Sequence, residues 1–152
     1  MTYIRTAFHG VVATLFTALV LTILAQIFFR YFVGSSLSWA EEGARMMFVW
    51  LVYLGGILAV RQGINITFDL VLVALPFRLW LPAFIVSNFC VCLFLALVAV
   101  IGARAAADMS QVSSILRIPM WLVFLAIPIG AGGMFVAQIA WARETIRERG
   151  AL

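Results

Sequence analysis

The sequence predicts an all-α integral membrane protein with four transmembrane helices and a short interfacial helix between spans two and three. Three observations predict it. Hydrophobic residues make up 66% of the 152 residues and charged residues only 11%, whereas soluble domains are nearer half apolar and a quarter charged. A soluble core this small could not hide so much apolar surface. The charges also leave long gaps: 24 residues between Arg5 and Arg30, 15 between Arg45 and Arg61, 25 between Arg78 and Arg104, and 25 between Arg117 and Arg143. Crossing the hydrocarbon takes roughly 20 predominantly apolar residues in a helix. Disorder is excluded by the apolar content, and a disulfide scaffold by the presence of only two cysteines.

The first span covers about residues 8–29 and ends in Phe28-Phe29-Arg30. Its apolar run exceeds the roughly 7–15 residues of a cleaved signal core and does not end in small residues, so the span is expected to be retained. Gly34-Ser35-Ser36 then breaks the chain, which makes spans one and two antiparallel neighbours. The second span, 38–61, opens on Ser38-Trp39-Ala40-Glu41, a capping-box pattern with Ser38 at N-cap and Glu41 at N3. Such a helix is about 36 Å long at ~1.5 Å per residue. Glu41, Glu42 and Arg45 fall in its first turns, at headgroup depth or against a partner, and Arg61 snorkels at its other end.

The piece from Phe68 to Leu75 is too short to cross. It reads as an interfacial helix over about 67–75, or as an extension of span three interrupted at Pro76 and Pro82. The third span covers about 79–104, with Arg104 and Asp108 placed to pair if the helix continues. The fourth covers about 119–142. Pro119 suits its first turn, and Pro128 is expected to kink it. All of these form one membrane domain, residues 1–152. The interfacial anchors are Trp80, Arg117, Trp121 and Trp141.

With four spans both termini share a side. That side carries six arginines (Arg5, Arg61, Arg78, Arg143, Arg147 and Arg149) against four (Arg30, Arg45, Arg104 and Arg117). The bias places both termini in the cytoplasm. A net charge of +4 suits anionic membrane lipids, and no basic patch is large enough for nucleic acid.

Catalysis or metal binding needs converging acids, bases, nucleophiles or ligands. The single histidine, His9, has no partner in the sequence and reads as interfacial. Cys90 and Cys92 are two apart, off a common helix face, and read as small buried apolar residues. No carboxylate stands in any of the four gaps, where an ion-coupled carrier places one. Gln26, Ser87, Asn88 and Gln138 read as hydrogen-bonding partners for neighbouring helices. No catalytic, cofactor-binding or metal residue is assigned, and the chain is not expected to be an enzyme.

Packing residues are better represented. Gly55, Ala59 and Gly63 recur every fourth residue in span two, as do Ala126 and Gly130, and Gly133 and Ala137, in span four. Such small ridges let helices approach closely, within the chain or against a partner. Glu41 and Arg45 read as an i,i+4 pair, with Arg45 also in reach of Glu42 and Arg30 able to join from the end of span one. The candidate subunit-interface residues are therefore Arg30, Trp39, Glu41, Glu42, Arg45, Gly55, Ala59 and Gly63.

Several ordered segments resemble a known family. They are Leu37-Ser38-Trp39-Ala40-Glu41-Glu42, Val49-Trp50-Leu51-Val52-Tyr53-Leu54-Gly55-Gly56, Asn65-Ile66-Thr67-Phe68-Asp69, Leu75-Pro76, Ser114 to Trp121, and Ile127-Pro128-Ile129-Gly130. Together they are similar to the small membrane subunit of tripartite ATP-independent periplasmic (TRAP) transporters, the DctQ type. Asn65 stands where that family often has histidine, so no titrating role carries over to it. The resemblance implies a non-catalytic scaffold in an inner-membrane symporter for organic acids. Its partners would be a large multi-span permease, a periplasmic substrate-binding protein and membrane lipids. No cofactor is implied for this chain, and the ion site, usually for sodium, is expected on the large subunit. The small subunit of a tripartite tricarboxylate system is an alternative, and the Trp-Ala-Glu-Glu segment favours the TRAP type. A membrane-embedded enzyme would need His9, Asp69 or Asp108 to be catalytic, and a small multidrug exporter would need a mid-membrane carboxylate.

Overall fold

A computed structural model describes residues 2–34, 37–62 and 77–149. Five α-helices occur among them: α1 (Thr2–Phe28), α2 (Ser38–Arg61), α3 (Phe77–Asp108), α4 (Trp121–Phe124) and α5 (Ala126–Arg149). A π-helical turn, Phe29–Val33, continues α1. Four stretches are long and apolar enough to cross a membrane: Thr6–Val33, Ser38–Arg61, Leu81–Asp108 and Trp121–Arg147. The chain is an all-α, multi-pass membrane protein. The expected interfacial helix at 67–75, with Gly63, Asn65 and Asp69, lies outside the described residues.

Local chemistry explains where the helices end and bend. Gly34 stops the π turn in a left-handed conformation, φ 71°, which glycine adopts without a Cβ penalty. At the start of α2 the expected capping box does not form. Ser38 already lies inside the helix, and Leu37 holds the N-cap position without a side-chain cap. The Leu37 carbonyl accepts from the amides of Ala40 (3.0 Å) and Glu41 (3.3 Å). The helix also runs through Pro82 and is not interrupted there, because the proline removes one bond near the start of α3. Pro128 cannot donate to the Phe124 carbonyl, and the fourth span changes from α4 to α5 at Leu125, close to that missing bond.

Helix α5 lies between α2 and α3, whereas α1 packs on α2 alone among the described helices. The central position follows from small side chains. Ala126, Ala131, Ala137 and Ala142 of α5 are all buried. Three glycines set the α2–α5 seam. A Cβ at Gly130 would overlap the Cβ of Tyr53, one at Gly133 would overlap Ile57, and one at Gly56 would lie 2.8 Å from Met134 Cε. On the other side of α5, a Cβ at Gly102 of α3 would lie 2.5 Å from Ile127 Cγ2. Large side chains such as Phe16, Phe89 and Phe94 face outward. That suits a bilayer, where close packing rather than apolar burial holds helices together.

Several hydroxyl and amide groups within the spans find partners. Thr14, Thr17 and Thr22 donate to the carbonyls of Gly10, Ala13 and Ala18 on their own helix. The Gln138 side-chain amide donates to Asn88 Oδ1 at 3.3 Å, joining α5 to α3, and Cys92 Sγ donates to the same oxygen at 3.6 Å. Cys90 is exposed rather than buried, and it lines an open crevice with Val60 of α2 and Gln138 of α5. Such intramembrane bonds contribute ~0.6 kcal/mol on average. In a double-mutant cycle, Asn88→Ala and Gln138→Ala should therefore couple by about that amount. Reversible unfolding in mixed micelles measures the coupling, and additive single effects would show that the bond contributes nothing.

Candidate subunit interface

The residues singled out for partner contact separate into three groups. Glu42 turns its carboxylate to a loop of its own chain. Its Oε2 accepts from the backbone amides of Ile115 (3.2 Å) and Leu116 (3.0 Å), and the Ser113 hydroxyl also bonds to its carboxylate. The segment it holds is a narrow turn between α3 and α4. Ser113 N donates to the Ile118 carbonyl and Met120 N to the Gln111 carbonyl, both at 2.9 Å, closing an antiparallel bridge between Val112 and Pro119. Within the turn Leu116 N also reaches Ser113 Oγ at 3.3 Å. Arg117 adopts φ 50°, the single positive-φ non-glycine residue described. Glu42 thus fastens the first turns of α2 to the loop that begins the fourth span.

The second group, Arg30, Trp39, Glu41 and Arg45, is exposed. Arg45 pairs with Glu41 at 3.6 Å, with the two side chains 75% and 67% exposed. A pair so exposed contributes little to stability. Arg45 makes no ion pair with Glu42, whose carboxylate is turned to the loop amides. Arg30 lines a crevice of about 350 Å³ with Gln26, Ile27 and Glu41. Trp39 is more than half exposed. Arg104 and Asp108 do not form the expected pair, since Glu41–Arg45 is the ion pair found among the described residues.

The third group is the small-residue ridge. Gly55 has open space where a Cβ would stand, and Ala59 is exposed. The close contact to α5 is made by the neighbouring glycine, Gly56. Phe48 and Val52 are also exposed, so Phe48, Val52, Gly55 and Ala59 follow one helical face of α2 away from α5. The fourth ridge member, Gly63, lies outside the described residues.

Among the proposed anchors, Trp121 is partly exposed at the start of α4 and Arg117 is exposed in the turn. Trp141 is a packing residue, its ring 5.7 Å from that of Phe84. The side chain of Trp80 lies outside the described residues. No cluster of three or more potential metal-ligating side chains occurs among the described residues.

Residues 19–148 match the family described as "Tripartite ATP-independent periplasmic transporters, DctQ component". The chain belongs to this DctQ family. The family consists of non-catalytic permease subunits of transporters. A 104-residue stretch, 66% of this DctQ chain, is 35% identical to the C4-dicarboxylate TRAP transporter small permease protein DctQ of Rhodobacter capsulatus and covers 46% of it. A longer match, 147 residues and 88% of the chain, is 27% identical to the isethionate TRAP transporter permease protein DctMQ of Oleidesulfovibrio alaskensis and covers 22% of that protein. The C4-dicarboxylate DctQ of Vibrio cholerae is 31% identical over 85 residues, covering 56% of this chain and 36% of its own. This DctQ chain thus matches less than half the length of each of these relatives.

Proposed function

We propose that this DctQ protein is a scaffold subunit. It holds a large multi-span permease at fixed depth and tilt while that permease carries an organic acid across the inner membrane. The observation that carries this reading is the face of α2 turned away from α5. Phe48, Val52 and Ala59 are exposed there, and Gly55 has open space where a Cβ would stand. Small residues on such a face suit dispersion packing against another helix in lipid. The name DctMQ, borne by a relative several times longer than its matched part, supports a permanent association with a large permease. The names of the relatives support carboxylates and related organic acids as cargo.

The substrate and ion sites belong to the large subunit in this reading, and a sodium gradient drives import. A periplasmic binding protein delivers the cargo. Both termini of this chain face the cytoplasm, following the arginine bias.

Deleting the chain while keeping the large permease should abolish C4-dicarboxylate uptake, and unchanged uptake would sink the scaffold reading. Ala59→Trp tests the face itself. The indole blocks close approach without touching α5, so co-purification of the large permease should fall by at least about tenfold, the equivalent of ~1.4 kcal/mol. A tryptophan at exposed Phe89 of α3 is the comparison and should leave recovery unchanged.

A further inference from the structure

Helices α1 and α5 both pack on α2 but not on each other, and residues of all three line one gap. At the end of the molecule where α1 begins and α2 and α5 finish, this gap is a cavity of about 420 Å³. Its lining includes His9 from α1, Arg61 from α2 and Glu144 from α5. Its apolar wall includes Ile57, Ala137 and Trp141. Arg61 and Glu144 line the same space, yet they form no ion pair.

The arrangement is amphipathic along the membrane normal. Ile57 precedes Arg61 by one helical turn, and Ala137 precedes Glu144 by two. Both apolar residues therefore lie deeper in the bilayer than the charges. Arg61 stands at the last position of a membrane-crossing helix, at headgroup depth. A ligand that fits must carry both signs of charge at one end and be apolar at the other. The volume is within the range of small-molecule sites, roughly 300–1,000 Å³.

We propose that this cavity binds the headgroup of a zwitterionic, amine-bearing phospholipid. Arg61 and the His9 imidazole donate to its phosphate, Glu144 accepts from its ammonium, and an acyl chain runs past Ile57, Ala137 and Trp141. This assignment goes beyond the scaffold function and does not depend on it. The lipid fills the gap between α1 and α5 and fixes the angle between them.

The test uses the full chain, stripped of lipid in detergent and titrated with dioleoyl-phosphatidylethanolamine or dioleoyl-phosphatidylglycerol, with native mass spectrometry as the readout. The wild type should keep one phosphatidylethanolamine per chain in preference to phosphatidylglycerol. Arg61→Ala should weaken its retention on the order of tenfold, the effect of losing a charge-assisted hydrogen bond. Glu144→Gln should keep lipid but lose the preference for the amine headgroup. Phosphatidylethanolamine with brominated acyl chains should quench the fluorescence that wild type has and Trp141→Phe lacks. Circular dichroism checks that each variant is folded, and His9→Ala replaces Arg61→Ala if the latter is not. Wild-type retention by both charge variants, or equal retention of both lipids by the wild type, would overturn the proposal. Displacement of the lipid by inorganic phosphate would assign the charges to a free anion and would also overturn it.

Discussion

Replacing Gly130 by alanine is expected to push α2 and α5 apart and to destabilise the molecule by about 1–3 kcal/mol, the usual cost of overpacking. The added methyl would overlap the Cβ of Tyr53. A Cβ is fixed to the backbone, so no rotamer change relieves the overlap and the helices themselves must separate. Gly133→Ala should cost less, because the nearest obstacle is the movable end of Ile57. Gly55→Ala should cost nothing, since its Cβ would enter open space. Unfolding of the three variants in mixed micelles gives the order directly. A Gly55→Ala variant as unstable as Gly130→Ala would contradict the seam described here.

Glu42→Ala is expected to release the turn between α3 and α4. The Ile115 and Leu116 amides lose their carboxylate acceptor, and the Ser113 hydroxyl loses a partner. Bonds to an ionised acceptor are stronger than neutral ones. Amide hydrogen exchange at Ile115 and Leu116 should therefore accelerate by about tenfold or more, with the middle of α5 unaffected. Glu42→Gln retains one acceptor oxygen without the charge and should fall between. Glu41→Ala loses only an exposed ion pair and should leave the turn protected. Equal exchange in wild type and Glu42→Ala would show that the turn holds itself. If Glu42→Ala also weakened recovery of the large permease while Glu41→Ala did not, the turn would belong to the contact surface.

The spans were legible because the charges bracket them: each predicted span lies largely within an observed helix. The helices outrun the predictions where the polar flanks continue the turn, as at Thr2–Phe28 and Ala126–Arg149. Which faces pack was not legible. Gly55 and Gly56 are adjacent in sequence but about 100° apart on a helix, and spacing alone does not say that Gly56 rather than Gly55 meets α5. In lipid both packed and free faces are apolar, so hydropathy carries no sign to separate them. Glu42 was visible as a charge of interest, but its acceptor role joins residues 73 and 74 positions away, beyond any local pattern. The Ser38 box failed because the helix starts one residue early, which places Ser38 inside it, while the Glu41 carboxylate goes to Arg45. The Asn88–Gln138 bond was anticipated as a role for each residue, but the pairing needed the packing of α5 on α3.

The one-sided attachment of α1 has a consequence for how the molecule assembles. Helices α2, α3 and α5 share their packing through α5, so removing one member disturbs the others. Among the described helices, α1 has a single neighbour, α2, and supports none of the α3–α5 contacts. In a membrane each apolar helix is stable as an inserted rod before it meets its neighbours. The energy landscape therefore allows a three-helix nucleus that closes on its own, with α1 docking afterwards as an outrigger. Its tilt is a soft coordinate that neighbouring molecules can set without unfolding anything.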